Sequence, residues 1–410
     1  MNDRSKFKKT LFYVFVILGM VLRVWGFFYN GNENLISYRE IGQNVRTKGL
    51  AESFGHGYFP IAFLIFGLND SLSQLSPEVW WWPYKASNFI FELGLALTLF
   101  VYLWRHKWKL LFTYWLNPWF LIPGAWAGFW DAPYTLFIFW AILVLDSKFD
   151  LKNKMISAGF LFGFAFSIKP QTFAPLSILA LYFLINFVFK RKILPVLQFL
   201  FAFTLLPVMF SLYFYISGKP IYFMLKWYAA DMKYTMPFLV NSEINIWHTV
   251  TRIIMHVKGL TGPIYSLNTY TFPYNILEYF TSLVYIFLIF IIIHLYAKRH
   301  TLPKYFFMKI ITFSLILLPQ IGTRSHAYHF FPASLFLIPL IILEKNEKLI
   351  MLWVISVLIH LYNIWWQYGL GPDIRSPIPL WGEPVLSMLG FLQFLATLGF
   401  IYIFLRVNKA

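Results

Sequence analysis

LLFTYWLNPWFLIPGAWAGFWDAPYTLFIFWAILVLDSK, residues 110–148, decides the fold. Two apolar runs, 110–125 and 131–146, flank a short turn at Asp131, and the second run closes on Asp146 and Lys148. Each is close to the roughly 17–25 residues that a helix needs to cross hydrocarbon. The pair reads as a helical hairpin, with Asp131 at one mouth and a basic loop at the other. A carboxylate at membrane depth is expensive and is usually paired or functional. An acid just ahead of Pro133 is also an ordinary helix start, favoured by the helix dipole.

Outward from this hairpin the pattern repeats. Spans are predicted near 10–28, 84–103, 110–125, 131–146, 155–168, 172–189, 193–216, 277–297, 305–322, 329–343, 348–366 and 385–405, about twelve in all. The expected fold class is all-α: a polytopic integral membrane protein with residues 1–410 as one membrane domain. Composition agrees. Hydrophobic residues make up 59% of the 410 and charged residues only 12%, against about 25% charged in soluble domains. So much apolar surface needs lipid as its solvent. The first run is too long and too aromatic for a cleaved signal and reads as a retained span. The net charge of +17 does not point to nucleic acid, because Lys and Arg sit between spans rather than in one stripe. The absence of cysteine excludes disulfides, thiolate metal sites and a Cys nucleophile.

The basic loops carry topology. Arg4, Lys6, Lys8 and Lys9 precede the first span. Arg105, Lys107 and Lys109 follow the second, Lys148, Lys152 and Lys154 the fourth, and Lys190, Arg191 and Lys192 the sixth. Lys298, Arg299 and Lys304 follow the eighth, Lys345 and Lys348 the tenth, and Arg406 and Lys409 end the chain. With twelve spans all fall on one side, which the positive-inside rule makes cytoplasmic, both termini included. The membrane is expected to be the plasma membrane, with the endoplasmic reticulum as the alternative. The opposite loops are 29–83, 217–276 and 367–384. In the first, 36–45 has helical spacing with Gly49 as a stop, and 58–68 is apolar but too short to span. Both suit an interfacial shelf. The second carries Trp227, Tyr228, Trp247 and Tyr265, aromatics expected at headgroup level.

Residues able to do chemistry gather on that non-cytoplasmic side. Besides Asp131 they are Glu33 and Glu40 in the first loop, Lys169 in KPQ (169–171), and Arg324, His326 and His329 in RSHAYH (324–329). Each has an ordinary explanation. Glu40 pairs with Arg39 on a surface, Lys169 snorkels, and the histidines decorate a solvated loop. Arg252, His248 and His256 are weaker candidates, and no HExxH or Cys partner makes a zinc site of them. Taken together, carboxylates, cations and an interfacial shelf suit group transfer from a lipid-linked phosphate. A carboxylate would take the proton of an acceptor hydroxyl, and the cations would hold the phosphate leaving group. No GxxxxGK[ST] motif offers an ATP site.

These residues also carry a resemblance. The stretch NENLISYREIGQNVRTKGL (32–50), then GYFPIAF (57–63), NPWFLIPGAWAGFWD (117–131), Lys169-Pro170-Gln171 and HAYHFFP (326–332) follow one another. In that order they resemble the glycosyltransferase C superfamily, closest to its polyprenyl-phosphate-sugar-dependent mannosyltransferases, including the GPI-anchor group. The likeness covers about the first half of the chain and the late segment. It implies inverting transfer of a hexose, most often mannose, from a polyprenyl-phosphate donor to a lipid or glycan acceptor at the non-cytoplasmic face. The chain departs from the family at Asn34, four residues before Tyr38, where the family has an acid. Glu33, Asp131 and Glu40 are the candidate bases. Lys169, Arg324, His326 and His329 are the candidate contacts to the donor phosphate, and Tyr58, Trp126 and Trp130 could stack on sugar. No cofactor is required, although Glu33 and Asp131 would allow a divalent cation such as magnesium or manganese. Two rivals stand beside this reading. One is a lipid-linked-oligosaccharide polymerase or ligase. The other is a transporter or flippase, which would place charges at mid-membrane, whereas this sequence gathers its ionisable residues at span ends.

Overall fold

The computed structural model describes residues 3–31, 33–55, 57–190, 193–230, 244–259, 274–297, 304–322, 326–368 and 383–406. From the start run α1 (Asp3–Gly26), α2 (Glu33–Lys48), α3 (Leu50–Ser53), α4 (Pro60–Ser73), α5 (Trp82–Tyr102), α6 (Lys107–Leu110) and α7 (Pro118–Leu121). Next come α8 (Ala132–Leu145), α9 (Leu151–Phe166), α10 (Phe173–Lys190), α11 (Leu194–Ile216), α12 (Phe223–Ala230) and α13 (Ile246–Val257). The last are α14 (Tyr274–Ala297), α15 (Phe306–Ile321), α16 (Phe331–Glu344), α17 (Glu347–Tyr368) and α18 (Glu383–Leu405). No strand occurs among the described residues. Among the described residues four helices, at Trp82–Tyr102, Leu194–Ile216, Glu347–Trp365 and Val385–Leu405, are long and apolar enough to cross a membrane. Others, such as Ala132–Leu145 and Phe306–Ile321, are apolar but shorter.

Helices occupy the predicted apolar runs, with one correction. The run 110–125 is not a single helix. It breaks into α6, a π-helical turn Leu111–Trp115, α7, and a second π-helical turn Ile122–Trp126. Pro118 and Pro123 explain the break, since proline removes a backbone donor and crowds the preceding turn. Asn117 restarts the helix: its side chain accepts the Trp119 N–H at 3.0 Å.

The core is built on the hairpin of α8 and α9. Asp150 begins α9 by accepting the Asn153 N–H at 3.0 Å. At the same end of the hairpin, Asp146 accepts the N–H groups of Phe307 (3.1 Å) and Met308 (3.0 Å), the first turn of α15. That cap fixes the direction of α15, so its far end, and the segment 326–330 beyond it, return to the Asp131 end of the hairpin. α15 and α16 are buried on nearly every side, as helices that are apolar all round must be. α9 crosses α11 backbone to backbone, because a Cβ at Gly159 or Gly163 would collide with the carbonyls of Phe199 or Phe203. The first loop docks onto the hairpin as well. The N–H groups of Phe59 and Ile61 donate to Ile168 O (3.0 Å) and Ser167 O (2.9 Å), just past α9.

Candidate functional site

Asp131 stands immediately ahead of α8 and Lys169 immediately past α9. Antiparallel packing therefore brings them to the same end although 38 residues separate them. Lys169 Nζ lies 2.6 Å from Asp131 Oδ1, and both side chains are buried. Their backbones are pinned by neighbours: Thr135 donates to Asp131 O at 2.6 Å and Thr172 to Lys169 O at 2.9 Å. Three tyrosine rings surround the ammonium, Tyr58 and Tyr134 at 5.3 Å and Tyr328 at 5.1 Å from their centroids. At such distances a ring face attracts a cation, more strongly when water is excluded. The Tyr134 hydroxyl also faces the Asp131 carboxylate. Asp131 Oδ2 is buried and takes no well-aligned hydrogen bond among the described residues.

Each tyrosine arrives from a different part of the chain. Tyr58 belongs to the first loop, and its hydroxyl donates to that of Tyr38 on α2 at 3.0 Å. Burial, then the neighbouring Tyr38, Tyr328 and Asp131, push the Tyr58 phenol well above its ordinary pKa, so it stays a donor. Tyr134 follows Asp131 by three residues and shares its helix face. Tyr328 comes from the late segment, packed on Phe129 (4.5 Å) and stacked on His326 (5.0 Å).

The late segment supplies imidazoles rather than cations. Burial first, and the Lys169 charge second, lower the His326 pKa to about 3, so its ring is neutral at physiological pH. His329 Nδ1 accepts the His326 backbone N–H at 3.1 Å. Its proton therefore resides on Nε2, which lies 3.3 Å from Gln171 Nε2; turning the Gln171 amide over would present its oxygen as the acceptor. The expectation of three positive charges at 324–329 is corrected for both histidines: they are N–H donors. Arg324 lies outside the described residues.

Other predicted site residues separate. Tyr58, Asp131, Lys169, His326 and His329 come together. Glu33 is the first residue of α2, and its side chain lies outside the described residues. Glu40 follows Tyr38 by two residues, about 200° around the helix, and is exposed, so it points away from the Tyr38–Tyr58 side. Its expected partner Arg39 instead lies over the Trp80 ring at 4.6 Å. Trp126 also faces elsewhere: its indole N–H donates to Leu22 O at 2.9 Å and its ring stacks on Tyr29 at 5.0 Å. Trp130 is buried against Phe66 (4.8 Å) and behind Tyr58 (6.4 Å), a packing residue rather than an open stacking surface. Among the described residues no three His, Asp or Glu side chains gather as a metal site.

A second buried polar group was not anticipated. Arg23 in α1 and Glu92 in α5 face each other at 3.5 Å, both almost fully buried. The guanidinium lies over the Trp115 ring at 4.0 Å and donates to Trp115 O at 2.7 Å. Nearby, Lys85 donates to three carbonyls, those of Gly26 (2.8 Å), Tyr29 (2.7 Å) and Trp126 (2.6 Å). Trp115 and Trp126 end the two π-helical turns, so buried cations satisfy carbonyls at the ends of the irregular segments. Ionisable residues are therefore not confined to span ends. Two opposite charges, each alone inside an apolar run, are the sequence signal that would have revealed the pair. Tyr134 and Tyr328 were missed too, since tyrosines blend into a chain that is 22% aromatic.

Comparison with protein-family models, with curated proteins and with solved structures finds no match to the chain.

Proposed function

We propose that the chain is a membrane glycosyltransferase of the glycosyltransferase C type. In this reading it transfers a hexose, mannose by the resemblance, from a polyprenyl phosphate to a hydroxyl of a lipid or glycan acceptor. About twelve spans would hold the site at the non-cytoplasmic face of the plasma membrane, with both termini cytoplasmic. The observation that carries the reading is the convergence of three distant segments on one ion pair: Tyr58, the Asp131–Lys169 bridge, and Tyr328 with its two histidines. A carboxylate oxygen without a well-aligned donor, an ammonium and two neutral imidazoles are what acceptor activation and phosphate departure need. In the transfer step the acceptor oxygen bonds to the anomeric carbon. The bond from that carbon to the phosphate oxygen breaks, and its electron pair leaves with the phosphate. The hydroxyl proton passes to Asp131. Displacement in one step inverts the anomeric centre. Lys169, His326 and His329 hold the phosphate, with Arg324 completing the set. Glu33 is the alternative base.

The test is transfer of labelled mannose from synthetic farnesyl-phosphate mannose into lipids and glycans of membranes carrying the chain. Asp131→Asn should lower transfer by about a thousandfold, the middle of the general-base range, in protein that still inserts and folds. Full activity in that variant removes Asp131 from the mechanism. The buried Arg23–Glu92 pair favours a second reading, a transporter or flippase, since paired charges inside apolar helices mark polar pathways. Flux of a lipid-linked sugar across reconstituted vesicles without covalent product would select it.

A further inference from the structure

The contact between Asp131 and Lys169 has a consequence for the order of events. Asp131 Oδ1 is held by the ammonium at 2.6 Å, while Oδ2, equally buried, takes no well-aligned hydrogen bond. Around the pair stand the phenols of Tyr58, Tyr134 and Tyr328, with neutral His326 beyond. Among the described residues no second cation pairs with the carboxylate. Among the described residues this one ammonium thus serves both as counter-ion of the base and as the positive charge offered to an incoming anion. It cannot satisfy both fully, because a buried ion pair is short, directional and costly to stretch. We propose that Lys169 is a latch: the donor phosphate competes with Asp131 for its ammonium, and capture by the phosphate frees the carboxylate to take the acceptor proton.

This rests on the transferase reading and adds regulation to the same site. While Lys169 is bound to Asp131, the carboxylate is a weaker proton acceptor than the same buried group would be alone, because the ammonium stabilises its charged form. When the ammonium moves to phosphate, that stabilisation is lost inside apolar walls and the carboxylate becomes a stronger base. No bond is made or broken in the exchange, and no proton moves until the acceptor hydroxyl arrives. The flexible Lys stem suits such a move, since its head can turn within the tyrosine cage without displacing the backbone.

The exchange is read in a double-mutant cycle with farnesyl phosphate as the probe, its binding measured on purified full-length protein in nanodiscs. Asp131→Asn removes the competitor and should tighten binding on the order of tenfold, within the range of direct couplings. In a Lys169→Gln background the same substitution should gain nothing. An equal gain in both backgrounds is plain relief of charge repulsion and overturns the latch, as does weaker binding in Asp131→Asn. Absence of farnesyl phosphate binding to the unmodified protein defeats the phosphate reading itself, a different failure. A second measurement needs no variant, should Asp131→Asn misfold. In infrared difference spectra of unmodified protein with isotope-labelled aspartate, farnesyl phosphate should shift the signal of a buried carboxylate. Saturated binding with no aspartate signal overturns the exchange.

Discussion

Among the described residues two ion pairs are buried on both sides, and they are built differently. Arg23–Glu92 is wedged between helices: a tryptophan ring covers the cation, Asn88 donates to Glu92 Oε1 at 3.0 Å, and a Cβ at Gly124 would land on that same oxygen. It ties α1 to α5 and to the irregular segment 111–126. Asp131–Lys169 sits at the ends of helices, is shorter (2.6 Å against 3.5 Å), and is ringed by phenols and imidazoles on a half-buried rim. A sealed pair serves as a tether. A pair set at helix ends and bordered by phenols and imidazoles is arranged for a ligand.

The contrast breaks most visibly under neutralisation. Glu92→Gln should lower unfolding stability by about 3 kcal/mol, the cost of stranding a buried charge, while transfer per folded molecule stays near the original. Thermal unfolding in detergent, alongside transfer normalised to folded protein, measures both. Loss of transfer in fully folded Glu92→Gln would merge the two pairs into one functional unit. Next in size, Gly124→Ala should destabilise by about 1–3 kcal/mol, the usual cost of overpacking, because the new methyl drives Glu92 off its position. Unchanged melting would mean the tether is loose. At the other pair, Tyr58→Phe keeps the ring over Lys169 and removes only the bond to Tyr38. It should cost about 1 kcal/mol of stability and little transfer, whereas Tyr58→Ala should raise the donor KM.

The late segment makes stability depend on pH. His326 titrates at about 3 when folded against 6.5 for the ordinary imidazole. Below about 6.5 the unfolded chain binds the proton first, so His326 withdraws stability as pH falls from 6.5 towards 3. Melting temperatures at pH 7 and pH 5 should diverge less in His326→Gln than in the unmodified chain. An equal divergence would place the acid sensitivity elsewhere.

Much of this was legible in the residues. The apolar runs located the helices because length and hydropathy are one-dimensional properties. Asp131 and Lys169 stood out as lone charges at the ends of such runs. Which way a helix faces is not one-dimensional, and there the reading failed: Glu40 and Trp126 belong to the right segments but turn towards solvent and α1. The break at 117–123 was signalled by its prolines, yet π-helical turns depend on buried cations from residues 23 and 85, far away in sequence. The tyrosine cage was hidden because aromatic residues fill lipid-facing positions throughout.

The central claim is that the 131–169 pair, the first loop and the segment 326–329 form one receptor for a lipid phosphate. An electron cryo-microscopy map of the full chain with farnesyl phosphate bound tests it most directly. The account predicts phosphate density in contact with Lys169 and His329, its prenyl tail running between helices towards lipid. Density at any place out of reach of both residues would contradict it.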